Sequence, residues 1–492
     1  MTARALMLQG TASDVGKSVV TAALCRIARR RGLSVAPFKP QNMSNNAAAC
    51  AGGGEIGRAQ AMQAQAAGLA AHVDLNPVLL KPQADAQAQV IVHGEVTGSL
   101  GAADYLARSD HWLGPVMESF ERLVAAHDLV LIEGAGSPAE VNLRDRDIAN
   151  MGFARRAGVP VCLVGDVDKG GLIASLVGTR EVLDPEDAAV ISGFLVNKFR
   201  GDPRLFDEGI AAVTGHTGWP CFGVIPWIPE TAQLPAEDAV VLERPRRADR
   251  GGLKAAAPIL PRLANFDDAG PLEIEPGVSL HWIPPARPIP RDADVVILFG
   301  TKATLSDLAF LRSQGWDHDI LAHARAGGRV FGFCGGYQML GRRVVDAGGA
   351  DGRPGEAAGL GLLNVDTVMT SKKRVVPVVG ECAVSGEEVA GYEIHLGRTV
   401  GPDTERPLFR LGDRTDGARS PDERIEGTYL HGVFASDRFR RAWIRRAGGT
   451  AGTALRHHAI VEQAIDRLAD QVDTAVDCDS LLACAAPPGW SP

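Results

Sequence analysis

Short apolar runs bounded by Gly, Asp or Asn recur along the chain, at 5–8, 129–132, 159–164, 190–196 and 221–225. Each is too short for a helix and rich in Val, Leu and Ile, so each reads as a buried strand. Between them lie stretches such as 19–31, rich in Ala, Leu and Arg at helical spacing. The alternation predicts an α/β fold, a parallel sheet wrapped by helices. The pattern breaks at 244–253, within "RPRRADRGGLKAAAP", which is basic, punctuated by Gly and Pro, and without a sustained period. That stretch reads as a linker between a first domain, 1–243, and a second α/β domain, 254–447, with strands at 295–299 and 329–333. Pro258 and Pro261 would interrupt a central strand, so the strand that opens the second domain is expected to be short. Residues 448–492 read as a helical segment ending in a loose tail, "CAAPPGWSP".

Composition narrows the class. A chain of 492 residues is long enough for more than one core, and 45% apolar with 22% charged residues is ordinary for a globular protein. A formal charge of -8 gives no general affinity for nucleic acid or an anionic membrane. No apolar run approaches the ~18 residues of a membrane span, and the apolar part of "MTARALMLQG" is too short for a secretory signal. The eight cysteines are scattered with no C-x-x-C pair, which fits neither a zinc site nor a disulfide framework and points to the reducing cytoplasm. Assembly into a homo-oligomer is left open.

Two stretches carry chemistry. The first, "GTASDVGKS" from Gly10 to Ser18, follows a predicted strand and opens a predicted helix. Backbone N–H groups at such a turn cradle phosphate oxygens. Lys17 would neutralise the outer phosphates of ATP and the Ser18 hydroxyl would ligate Mg2+. Thr11 and Gly16 belong to the same loop. Five residues separate Gly10 from Gly16, one more than the common P-loop has. Glu133 ends the run "LVLIE" and is a second candidate for the magnesium side, or else an ordinary turn residue. Lys39 in "APFKPQNMSNN" could meet an anionic substrate or phosphate, or be a solvated loop lysine. Asp147, with Asp145, could join the substrate site or pair with the neighbouring arginines. Asn197 in "FLVNKFRGD" could read the adenine edge or cap its strand.

The second stretch is Gly332-Phe333-Cys334-Gly335-Gly336, G-x-C-x-G between a strand and a helix. Small flanking residues permit the sharp turn that exposes a nucleophile. Backbone N–H groups at the following helix, Gly335 first, favour an anion there and would stabilise a tetrahedral oxyanion. Glycines on both sides argue against a buried core cysteine. A base is needed, and "GTYLHGVF" offers His431, with His395 in "GYEIHLGR" as competitor.

Several motifs now converge on a known family. The longer phosphate loop resembles the dethiobiotin synthetase type, and the lysine that marks partitioning ATPases near the first glycine is absent. "LFGTKAT", "GFCGGYQMLG", "GYEIHLGRT" and "YLHGVF" resemble a class I glutamine amidotransferase domain of the cobalamin-biosynthesis type. "KPQNMSNN", "NPVLLKPQ", "NLRDRDIANMG", "GDVDKGG" and "NKFRGD" extend the resemblance over nearly the whole chain, to the cobyric acid synthases. The resemblance implies that Cys334 forms a glutamyl thioester with His431 as its base, and that Gly300 lends a backbone donor to the oxyanion. It implies ATP, Mg2+ and L-glutamine as reactants or cofactors, and a small-molecule corrinoid, adenosylcobyrinic acid a,c-diamide, amidated at its b, d, e and g carboxylates. Where many class I members carry Glu two residues after the histidine, this chain has Val433, which implies a Cys–His dyad and leaves open what orients His431. Two rivals stand beside this reading: a cobyrinic acid a,c-diamide synthase, and an ATP-switched binding protein with a vestigial amidotransferase domain.

Overall fold

A computed structural model describes residues 3–84, 87–235, 242, 251–452 and 455–489. The expected parallel strands form one sheet in the order Cys221–Pro226, Ile191–Phe199, Val161–Asp166, Arg4–Gly10, Leu129–Glu133 and Val35–Phe38. Every pairing is parallel. The helix Lys17–Arg30 leaves the central strand across the phosphate loop. Because the strands run one way, their C-terminal ends bring Gly10, Glu133, Asp166 and Asn197 to one edge, where open α/β sheets bind ligands. Between Phe38 and Leu129 the chain builds an unforeseen insertion: a four-stranded sheet ordered Gln41–Met43, Val78–Ala84, Gln87–Val92 and Glu95–Gly101, and a short hairpin, Ala47–Ala49 with Glu55–Gly57.

The second half holds another sheet, ordered Val278–Ile283, Leu253–Pro258, Val295–Leu298, Arg329–Phe333 and Ile425–Thr428, all parallel, with Ala418–Arg419 antiparallel at the edge. Leu253–Pro258 is central yet tolerates Pro258, because its pairing with the strand beginning at Val295 involves only Ala255 and Ala256. No amide N–H is required of the proline on that side. A long antiparallel hairpin, Asp366–Cys382 against Glu388–Val400, lies beside this sheet and receives Leu430–His431 on its edge. Its length was not foreseen.

Two boundaries differ from the expectation. Of the linker at 244–253, residues 244–250 lie outside the described residues, and Leu253 already begins a strand. The C-terminal segment is helical as expected, and its tail is tied down over the described part. Its helix His457–Ala475 packs Ile465, Leu468 and Val472 into the apolar core that also holds Leu24 and Ile27 of the phosphate-loop helix. Ala486 pairs with Ala5 across backbone hydrogen bonds, adding an extended stretch beside the central strand. The segment therefore returns to the first half of the chain, held by apolar burial and by Arg26, which reaches Glu462 and Asp466 at 2.8 Å each. Among the described residues no helix is long and apolar enough to cross a membrane.

Candidate functional site

The phosphate loop closes on itself. Lys17 Nζ donates to the carbonyls of Ala12 and Gly136, both at 3.1 Å, which curls the side chain back over the loop. Gly16 has φ +96°, and a Cβ there would sit 2.3 Å from Asn197 Nδ2, so conformation and space both demand glycine. Thr11 N–H donates to Val164 O, tying the loop to the neighbouring strand. Asn197 donates its Nδ2 to Val15 O at 2.8 Å, so its amide nitrogen braces the loop rather than capping its own strand.

Glu133 is buried and gathers four donors. Ser18 Oγ lies 2.7 Å and Lys39 Nζ 2.8 Å from its Oε1, while Gln63 and Gln60 reach its Oε2 at 2.6 and 3.4 Å. Lys39 is therefore not a solvated loop lysine. It is a buried cation against the carboxylate beside the phosphate loop. Gln60 and Gln63 carry no signal in the sequence, where "RAQAMQAQ" looks like an ordinary alanine-rich helix. Asp147 proves to have a structural job: its Oδ1 accepts the N–H groups of Ala149 and Asn150, and its Oδ2 accepts that of Gly152, at 2.8 Å each. These bonds cap the start of helix Met151–Ala157.

At the second site, Cys334 sits between strand Arg329–Phe333 and helix Gly335–Leu340 with φ +46° and ψ -108°, a strained positive-φ conformation outside the usual regions for a non-glycine residue. The flanking glycines make this turn possible. A Cβ on Gly336 would lie 2.0 Å from Leu298 O, and one on Gly335 would lie 2.5 Å from Thr301 Cγ2. Gly300 packs directly against both functional side chains, since a Cβ on it would stand 3.4 Å from His431 Cε1 and 3.6 Å from Cys334 Cβ.

His431 is buried, with Tyr392 stacked against its ring at 5.4 Å between centroids. Its Nδ1 lies 2.6 Å from Asp268 Oδ2, while Oδ1 of the same carboxylate accepts the N–H of Gly432. Burial pushes the imidazole down, but the Asp268 carboxylate and the Cys334 side chain outweigh it and lift it to about 10. Asp268 thus supplies the orienting group that the motif left open. It lies in "NFDDAG", a stretch with no family mark; two adjacent acids just beyond a strand were the available signal. His395 is different. Its Nδ1 pairs with Gly397 O at 2.9 Å, its ring stacks on Tyr429, and burial holds it down to about 4, so it is neutral.

A pocket opens in front of Cys334 and His431, lined also by Gly300, Thr304, Gln338 and His395. Part of its wall comes from the first half of the chain. Lys81 reaches the pocket and pairs with Glu55 at 2.5 Å, and Lys373 of the second half pairs with the same buried carboxylate. Burial raises the cost of that charge, yet the two lysines hold Glu55 down to about 2.

Comparison with known proteins places both halves. Residues 6–241 match the CobQ/CobB/MinD/ParA nucleotide binding domain, and residues 254–439 match the CobB/CobQ-like glutamine amidotransferase domain. The class is a P-loop nucleotide-binding domain joined to a glutamine amidotransferase domain. Similar proteins named cobyric acid synthase come from Hyphomonas neptunium, 61% identical over 100% of this chain and 99% of the relative, and Cereibacter sphaeroides, 60% identical over 98% and 99%. A third, from Paracoccus denitrificans, is 57% identical over 98% and 99%. The chain belongs to the cobyric acid synthase family, enzymes of glutamine-dependent amidation in cobalamin biosynthesis.

Proposed function

We propose that this chain uses ATP and glutamine to amidate the b, d, e and g carboxylates of adenosylcobyrinic acid a,c-diamide, giving adenosylcobyric acid, in the cytoplasm. The observation that carries the reading is a half-buried Cys334 beside the buried His431–Asp268 pair, opening into a pocket whose wall includes Lys81 of the nucleotide half.

The two halves answer two chemical obstacles. A carboxylate is a poor electrophile, and transferring the γ-phosphate of ATP to it gives an acyl phosphate that ammonia can attack. Lys17 holds the phosphates from the loop, with Thr11 and Gly16 shaping the cradle and Asn197 bracing it beside the nucleotide. Among the described residues no cluster of three His, Cys, Asp or Glu could hold a metal alone. Mg2+ suits such a site, because it takes one or two protein oxygens and completes its shell with phosphate oxygens and water. Ser18 and Glu133, 2.7 Å apart, are the residues that would hold it. Bound there, the ion neutralises the outer phosphates.

The second obstacle is that ammonia is mostly protonated near neutral pH. Cys334 Sγ attacks the glutamine amide carbon, and the backbone N–H groups of Gly300 and Gly335 receive the oxyanion. His431, its Nδ1–H held on Asp268, takes the thiol proton at Nε2 and passes it to the departing nitrogen, and water then hydrolyses the thioester to glutamate and the free thiol. The ammonia released is consumed by the acyl phosphate, which returns phosphate.

The test is product analysis with purified enzyme, ATP, Mg2+ and glutamine. Adenosylcobyrinic acid a,c-diamide should gain four amides, and cobyrinic acid should gain none at a or c. Amidation at a and c would assign the chain to the a,c-diamide step instead, and ATP turnover uncoupled from amide formation would make it a nucleotide-switched binder.

A further inference from the structure

The nucleotide half grips the turn that carries Asp268 at two points. Asn265, in a left-handed conformation with φ +53°, donates from Nδ2 to Ala47 O at 2.9 Å and lies 3.0 Å from the Tyr392 hydroxyl. Two residues on, Asp267 Oδ2 lies 2.8 Å from Arg58 Nε, an ion pair whose angle is too oblique for a hydrogen bond. Arg58 opens the helix Arg58–Ala67, and its own N–H is anchored on Asn46 O. The Asp267 side chain is only 7% exposed; burial raises its carboxyl, Arg58 pulls it back, and the neighbouring Asp268 raises it further.

We propose that Arg58 is a positioning residue of the glutamine-hydrolysing centre, supplied by the nucleotide half: its pairing with Asp267 fixes the short turn Phe266–Ala269, which aims Asp268 at His431. The inference rests on the reading of Cys334 and His431 as the glutaminase pair. Without Arg58, the Asp267 carboxylate takes up a proton or swings toward water, because an unpaired carboxylate is costly inside a protein. Either change displaces the adjacent Asp268. The same helix presents Gln60 and Gln63 to Glu133, so one element touches both the residue next to the acid behind the candidate base and the acid beside the phosphate loop. Arg58 does not line the pocket in front of Cys334, so it acts on turnover rather than on glutamine binding.

The test uses full-length wild type, Arg58→Met, Arg58→Lys, Asp267→Asn and the double variant Arg58→Met/Asp267→Asn. Glutamate release is measured against glutamine concentration, and amide synthesis from ammonium salt at alkaline pH is measured in parallel. Arg58→Met should lower kcat for glutamate release at least about tenfold with KM within about threefold, as expected when an orienting contact rather than a binding contact is lost. Arg58→Lys should recover most of it, the double variant should be no worse than the poorer single one, and ammonia-dependent synthesis should stay near wild type. Equal loss of both activities in Arg58→Met, or an unchanged kcat for glutamate release, would overturn the positioning role. A wild-type enzyme that releases no glutamate overturns both readings, whereas an active wild type with an unimpaired Arg58→Met variant overturns this one alone.

Discussion

Asp268 is 2.6 Å from His431 and fully enclosed, and at the residue scale that contact controls how the imidazole handles its proton. Asp268→Asn keeps the shape but removes the charge that holds the imidazole up. We expect glutaminase kcat to fall by at least about 100-fold, by analogy with the loss when a triad acid becomes an amide. The alkaline limb of the pH profile should move down in this variant, since the carboxylate is what lifts the imidazole to about 10. His431→Ala should abolish glutamate release, whereas His395→Ala should leave measurable turnover, because the His395 ring is neutral and tied to Gly397. His395 makes a separate, pH-dependent prediction. Burial lowers it from 6.5 to about 4 in the folded protein. Between those values the unfolded chain binds a proton that the folded chain refuses, so stability falls as pH falls through that window. His457, also held down to about 4 by burial, adds to the same limb. His395→Gln should flatten the acid side of a plot of urea midpoint against pH, and an unchanged slope would show that His395 titrates normally. Cys334, His431, Lys17 and Ser18 were legible in the sequence because local turns of distinctive composition carry them. Asp268, Arg58, Gln60 and Gln63 were not, because each acts across more than fifty residues of chain and no local pattern marks its partner.

Among the elements, those with a strong period were foreseeable and those whose partners are remote were not. The strands Leu129–Glu133 and Val161–Asp166 are apolar on both faces, as a parallel sheet covered on both sides requires. The hairpin Asp366–Cys382 with Glu388–Val400 is largely half-exposed and mixed in composition, so it carries no such signal. The C-terminal helix His457–Ala475 was recognisable as a helix, but its place against Lys17–Arg30 depends on apolar residues more than 400 positions away. That packing sets an expectation. Leu468 is 1% exposed in the shared core. Leu468→Ala should cost about 2–5 kcal/mol, the usual range for emptying a buried leucine site. The urea midpoint of the transition that includes the phosphate-loop domain should drop accordingly; a midpoint equal to wild type would place this helix outside that cooperative unit.

At the scale of the whole molecule, the proposed division of labour is that one half activates a carboxylate and the other makes ammonia, with Glu55, Lys81, Lys373, Arg58 and Asp267 joining the halves beside the pocket. Lys17→Ala should therefore suppress amide synthesis from glutamine and from ammonia alike, since removing a charge that stabilises phosphoryl transfer costs orders of magnitude in rate. Near-normal synthesis at saturating ATP would remove Gly10–Ser18 from the reaction. Cys334→Ser is the opposite case and the most direct test. Serine preserves volume at the strained turn, so folding is kept while the thioester chemistry is lost. Amide formation should vanish with glutamine and persist with high ammonium salt at alkaline pH, where the fraction of free ammonia rises ~10-fold per pH unit below the ammonium pKa. ATP should be consumed in step with each amide made. A folded Cys334→Ser enzyme that forms no amide from either nitrogen source would contradict the account, because the thiol would then be required beyond ammonia release.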